Sequence, residues 1–227
     1  MEEKAPLLLT IAVLGGTGKE GKGLAYRWAR AGSKVVIGSR IPEKAVTAAS
    51  EIIELLEGSS SVVGASNLEA AEQAEIVVLT VPYAAHRDTL EGVKDALKGK
   101  LLIDVTVPLV PPKVTKVQMP AAGSAAQEAK AILGDDVQVV AAFQNISHEH
   151  LMTDSEVECD VLVTGSSKES RLEAIKLVEA AGLTGWDAGP VENSVVVEGL
   201  TSVLININKQ YGSTHAGIKI TGAHKKE

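Results

Sequence analysis

The chain has 227 residues, 45% hydrophobic and 22% charged, with a formal net charge of −7. That length supports a core without staples, and so ordinary a composition excludes disorder and fibrous repeats. The acidic balance argues against a nucleic-acid or anionic-membrane surface, so any anionic ligand needs a specific site.

Short β-branched runs alternate with longer Ala-, Glu- and Lys-rich segments, the rhythm of an α/β fold with a parallel sheet. The first strand is expected at Leu8 to Leu14; Glu2 and Glu3 ahead of it and a glycine loop behind it do not fit a secretory leader. A helix at Lys19 to Arg30, a strand at Lys34 to Gly38 and a helix from Pro42 to Leu56 follow, Pro42 suiting a first position whose N–H is not needed. After the loop Gly58 to Ser61, Val62 to Ala65 reads as a strand, Asn67 as the cap of a short helix, and Glu75 to Val81 as a fourth strand stopped by Pro82. A helix at Ala85 to Leu97 and a strand at Lys100 to Val105 lead into a loop holding Pro108, Pro111 and Pro112, long enough to suggest a function. A helix near Ser124 to Leu133 and a strand at Val137 to Phe143 end the regular pattern, and a domain change is expected near residue 145. Beyond it come a strand at Asp160 to Thr164, a helix at Lys168 to Ala181, a strand at Leu183 to Asp187 and a long helix from Val191 to Asn208.

Gly16, Gly18 and Gly21 complete G-x-G-x-x-G between the first strand and the first helix. In that context Gly16 makes the tight turn, Gly18 lets the backbone approach a pyrophosphate, and Gly21 lets helix and strand pack closely. The free N–H groups and partial positive charge of the helix start face the phosphates. A Rossmann-type dinucleotide-binding domain over residues 1–145 follows, with a smaller C-terminal α/β part over 146–227. Where an NAD site places a carboxylate at the end of strand two, this chain has Gly38, Ser39 and Arg40. A guanidinium can take the 2′-phosphate of NADP and a serine hydroxyl can donate to it, so NADP(H) is favoured; Thr17 and Lys44 complete the anion pocket. Lys19 and Glu20 belong to the same loop, and Val81, Pro82 and Tyr83 stand where open α/β sheets place their ligand crevice. Tyr83 either shapes the nicotinamide side or covers the sheet edge.

These residues make the chain similar to the coenzyme F(420)-dependent NADP reductases. The resemblance spans nearly the whole chain and is carried by Leu14-Gly-Gly-Thr-Gly-Lys-Glu-Gly-Lys-Gly23, Gly38-Ser-Arg40 with Glu43-Lys-Ala45, Leu79-Thr-Val-Pro82, Pro108-Leu-Val-Pro111, Asp187-Ala-Gly-Pro190 with Asn193-Ser194, and Gly217-Ile-Lys219. It implies hydride transfer between NADP(H) and an 8-hydroxy-5-deazaflavin co-substrate. It also implies 2′-phosphate contacts from Thr17, Ser39, Arg40 and Lys44, and a deazaflavin cleft lined from Phe143 to His148 and around Asn206 to Lys219. Candidate deazaflavin contacts are Asn145, Ser147, His148 and Asn206.

Such a reaction needs proximity and orientation of two rings, so no catalytic nucleophile is expected. His148 and His150 share a face if the segment is extended, but two histidines outside H-E-x-x-H do not close a metal site, and none is expected. Asp104 reads as structural, and the single cysteine, Cys159, as core filler in a reducing compartment. No run approaches the ~20 apolar residues of a membrane span, so a cytoplasmic protein is expected, as a homo-oligomer. A reductase of flavin, ferric chelate or a small imine, and a non-catalytic NADP(H)-sensing module, stay open as alternatives.

Overall fold

The computed structural model describes residues 9–58, 61–153 and 156–224, so Leu8 of the expected first strand and Ser59 and Ser60 of the loop lie outside the described residues. The first half alternates as expected: β1 (Thr10–Leu14), α1 (Lys19–Arg30), β2 (Lys34–Ser39), α2 (Pro42–Leu55), β3 (Val62–Ser66), α3 (Asn67–Gln73) and β4 (Ile76–Leu79). Asn67 is not the cap of α3. Ser66 fills that role in a capping box with Glu69, because a capping side chain must stand one residue before the helix to reach back to its third amide. The helix expected at Ala85 to Leu97 is divided into a 3-10 turn at Tyr83–Ala85, α4 (His86–Val93) and a second 3-10 turn at Lys94–Leu97.

Next come β5 (Leu101–Asp104), α5 (Ala125–Leu133), β6 (Gln138–Ala141) and α6 (His148–Leu151). The His148–His150 segment is therefore a helical turn rather than extended, and residues two apart on a helix do not share a face. The chain ends with β7 (Asp160–Gly165), α7 (Lys168–Ala180), β8 (Thr184–Pro190) and α8 (Ser194–Tyr211), which Gly212 stops in the left-handed conformation.

All eight strands form one sheet in the order β3-β2-β1-β4-β5-β6-β7-β8, parallel except where β7 runs against β6. Strands buried on both faces read as continuous aliphatic runs, as β1 and β2 do. Ile11, Val13, Val35 and Ile37 pack on one face with Leu24, Trp28, Ile52 and Leu177 from α1, α2 and α7. Ala12, Leu14, Val36 and Leu79 pack on the other with Ala70, Leu90 and Ala129 from α3, α4 and α5. Each large aliphatic side chain buried this way contributes about 1.5–3 kcal/mol. β1 and β4 lie at the middle of the sheet, where the strand order reverses direction, so their carboxyl ends open the crevice in which such sheets bind ligands.

Arg27 ties the first helix to the last third of the chain. Its buried guanidinium donates to the carbonyls of Leu151 (3.0 Å), Ala181 (2.9 Å), His150 (2.7 Å) and Thr153 (2.9 Å). Gly23 of α1 has room only for hydrogen against Leu151, so α6 sits directly on α1. Trp28 adds a bond from its Nε1 to the Leu177 carbonyl at 2.9 Å and an edge-on contact with Phe143. Cys159 is buried beneath Gly217, and burial pushes its thiol up, away from reactivity. The tail beyond α8 is fastened to β7 by the bond from the Asp160 amide to the Ile218 carbonyl (2.8 Å).

Candidate functional site

A cleft of about 830 Å³ opens at the carboxyl ends of β1 and β4, within the range of small-molecule sites. One wall is the glycine loop. The Gly16 amide bonds the carbonyls of Val13 (3.2 Å) and Gly38 (3.1 Å), joining the ends of β1 and β2. A methyl group on Gly21 would stand 2.5 Å from Thr80 Oγ1 and 2.7 Å from Gly16 Cα, so helix and loop meet at backbone distance. One on Gly18 would meet nothing nearer than 3.8 Å, which leaves that backbone open to a ligand on the cleft side. Gly16 and Gly21 therefore serve packing, while Gly18 faces the cleft. Asn67 accepts the Gly15 amide at 3.2 Å, a loop-fixing role that its position in α3 allows.

The helix starts sort into two kinds. α3, α5, α6 and α7 are capped by the side chains of Ser66, Ser124, Ser147 and Ser167. α1, α2, α4 and α8 start without a side-chain bond; α4 and α8 continue from 3-10 turns, whereas α1 and α2 begin at Gly18 and Ile41. Uncapped starts leave N–H groups and partial positive charge for an anion, and these two flank the glycine loop and Arg40. Arg40 is exposed and lines the cleft with Thr17, Gly18, Lys19 and Glu20. Ser39 is buried at the end of β2; its Oγ accepts the Ile41 amide at 3.1 Å, which leaves its own proton to donate. Lys44 is exposed one turn into α2 and lies outside the cleft lining.

Val81, Pro82 and Tyr83 line the cleft beyond β4. The Tyr83 hydroxyl turns away to donate to Glu128 at 3.1 Å, and burial, then Glu128, raise its pKa. Glu128 also lies 3.6 Å from His86 Nδ1, and His86 Nε2 meets Asp104 Oδ2 at 2.7 Å. Burial works to lower the His86 pKa, but Asp104 and then Glu128 together outweigh it and the net direction is upward. Asp104 is thus structural: its Oδ1 accepts the Thr106 amide (3.0 Å) and its carbonyl accepts the Gln144 Nε2 (2.8 Å). One buried pair so fixes three cleft residues, Tyr83 through Glu128, and Thr106 and Gln144 directly. Beside it, buried Glu198 accepts the Ala125 (2.7 Å) and Ala126 (3.1 Å) amides at the start of α5.

The opposite wall consists of Phe143 to His148, Thr201, Leu204, Ile205, Asn208, Thr214 and Ala216. Asn145, Ser147 and His148 belong to it; Asn206 does not, being exposed on the outer side of α8, while Asn208 lines the cleft two residues later. Gln144 Oε1 and Asn145 Oδ1 are buried acceptors with no partner. The bond of its Nε2 to Asp104 leaves the Gln144 Oε1 as the free atom, available to a ligand N–H. Lys113, Lys116, Lys209 and Lys219, which could meet an anionic tail, are all exposed and outside the lining. Gln144 falls within the Phe143 to His148 stretch that the resemblance implies, but nothing in the sequence pattern marks its free Oε1 or the His86–Asp104 pair, which depend on distant segments meeting in space. The capping box Ser66-x-x-Glu69 is a sequence signal that identifies the true cap of α3.

Residues 10–108 match the family described as NADP oxidoreductase, coenzyme F(420)-dependent. The F(420)-dependent NADP reductase of Methanothermobacter marburgensis is 45% identical, over 94% of this chain and 98% of that protein. That of Methanocaldococcus jannaschii is 38% identical, with the same coverage of 94% and 98%. Among solved structures, an Arthrobacter sp. FB24 protein provisionally named as an F(420)-dependent NADP reductase superposes with a TM-score of 0.78 at 24% identity, covering 94% of this chain and 99% of that one. That likeness concerns the fold.

Proposed function

The chain belongs to the family of F(420)-dependent NADP reductases, and on that premise we propose that its cleft holds NADP(H) against the glycine loop and a deazaflavin against the opposite wall. The activity is oxidoreduction: hydride passes directly between NADP(H) and the 8-hydroxy-5-deazaflavin coenzyme F(420). The observation that carries the site assignment is convergence. Two uncapped helix starts, an open Gly18 and Arg40 meet on one side of a cleft whose other side offers unpaired Gln144 and Asn145 acceptors.

Gly16, Gly18 and Gly21 bring the backbone to the pyrophosphate, with Thr17, Lys19 and Glu20 around it. Ser39 and Arg40 take the 2′-phosphate, and Lys44 adds long-range positive charge from α2. Val81, Pro82 and Tyr83 bound the nicotinamide side, Tyr83 being braced by Glu128. Asn145, Ser147 and His148 face the deazaflavin, with Gln144 added and Asn208 in place of Asn206. When bound, the two cofactors supply the hydride donor and acceptor; the protein supplies proximity, orientation and exclusion of water.

Residues 1–145 are assigned as the dinucleotide-binding unit and 146–227 as the part completing the deazaflavin cleft, supported by the residues of the second wall beyond Ile146. Assembly as a homo-oligomer is part of the reading. The exposed Val196, Val203, Ile207 and Tyr211 of α8 support it, and light scattering tests it. A cytoplasmic setting accords with the lone buried Cys159. Among the described residues no helix is long and apolar enough to cross a membrane.

The deciding assay mixes NADPH with oxidised F(420) and follows the deazaflavin band. Bleaching is expected; none, alongside bleaching of free flavin, overturns the proposal.

A further inference from the structure

Glu20 is an acid in an unfavourable place. It occupies the first turn of α1, lines the cleft beside Gly18, and its Oε1 is shut off from solvent with no hydrogen-bond partner. The helix start favours a carboxylate there, but a buried, unsolvated oxygen opposes it more strongly. Nor does a cation compensate. The charged and titratable groups lining the cleft with it are Lys19, Arg40, Tyr83 and His148; Lys22 shares its helix, and α6 and α2, which pack against α1, carry Glu149 and Glu51. Lys22 is paired with Glu51 at 2.8 Å, Glu149 accepts from Thr214 at 2.6 Å, and Tyr83 is turned to Glu128 at 3.1 Å. Desolvation alone raises the Glu20 carboxyl from 4.5 to about 8. The cofactor proposed for this cleft brings two pyrophosphate charges to the same helix start, which opposes ionisation further.

We propose that Glu20 binds NADP(H) in its neutral form, its carboxylic O–H serving the cofactor as a hydrogen-bond donor, and that its ionisation expels the cofactor. The inference rests on the assignment of NADP(H) to the glycine loop, and it adds a proton to the binding equilibrium. Below the carboxyl's pKa the site is ready; above it, binding must first take up one proton.

The test is NADP⁺ binding by titration calorimetry without F(420), from pH 7 to pH 9.5, above the range where the 2′-phosphate titrates. The dissociation constant is expected to rise about tenfold between pH 7 and pH 9, as linkage to one group of pKa near 8 requires. At pH 8.5, runs in buffers of different ionisation enthalpy should show about three-quarters of a proton taken up per NADP⁺ bound. Glu20→Gln keeps a neutral donor at this position, so its dissociation constant should stay within about twofold across the range, without proton uptake. Glu20→Ala, which needs no amide fit, should be equally flat but weaker. A wild-type profile flat to pH 9.5, or the same slope in both variants, overturns the role of Glu20 and leaves the cofactor assignment standing. Absence of NADP⁺ binding at pH 7 overturns both.

Discussion

Glu198→Gln turns the buried charge cluster behind the cleft into a measurable stability profile. Glu198 is fully buried, and burial first, then the repulsion of Asp104, raises its carboxyl from 4.5 to about 8 against the opposing pull of the Ala125 and Ala126 amides. The folded chain therefore holds a proton that the unfolded chain releases near 4.5. Stability from this group is complete below that value and falls as pH rises, levelling off above the folded value of about 8. Each pH unit in the window costs up to about 1.4 kcal/mol, so the wild type loses as much as ~4 kcal/mol between pH 5 and pH 8 through Glu198. Glutamine keeps one acceptor for the α5 amides and loses the other, a cost of about 1 kcal/mol independent of pH. Urea unfolding should thus find the two proteins nearly equal at pH 5 and the variant more stable by about 3 kcal/mol at pH 8. Glu20 and His86 slope the same way, so the variant keeps a shallower fall, of which Glu20→Gln removes the Glu20 part in the double variant. Parallel wild-type and Glu198→Gln profiles from pH 5 to pH 8 would refute a proton held by Glu198.

Other expectations follow from single contacts. Arg40→Asp should raise the NADPH dissociation constant ~10- to 100-fold, the worth of a charge-assisted bond, while NADH changes by less than about threefold in the same fluorescence titration. Gly21→Ala places a methyl group 2.5 Å from Thr80 Oγ1 and 2.7 Å from Gly16 Cα, so it should cost about 1–3 kcal/mol in thermal unfolding and weaken NADPH binding. Arg27→Met removes the guanidinium bonds to the carbonyls of His150, Leu151, Thr153 and Ala181. About 3 kcal/mol of stability should be lost and hydrogen exchange should quicken in α6, with the KM for F(420) rising more than that for NADPH.

Much of the first half of the fold is local chemistry and is legible in the sequence. The aliphatic run of β1, the three glycines and the absence of a carboxylate at Ser39 and Arg40 each express a need of the backbone or a phosphate that any reader of residues can state. The boundaries that moved did so because caps and turns compete within a residue or two: Ser66 displaced Asn67 at α3, and α4 broke into 3-10 turns at both ends. The far wall of the cleft was less accessible. Asn206 and Asn208 are equivalent in the sequence, and only the rotation of α8 against the sheet turns one outward and the other into the cleft.

What the sequence by itself determined is the parallel α/β core and the nucleotide-binding loop, because strand periodicity, glycine spacing and charge act over a few residues. Tertiary structure alone decided the protonation of Glu20 and Glu198, the His86–Asp104 brace and the unpaired acceptors of Gln144 and Asn145. The physical reason is that solvation and charge pairing depend on which distant segments exclude water from a group, and sequence position does not carry that information.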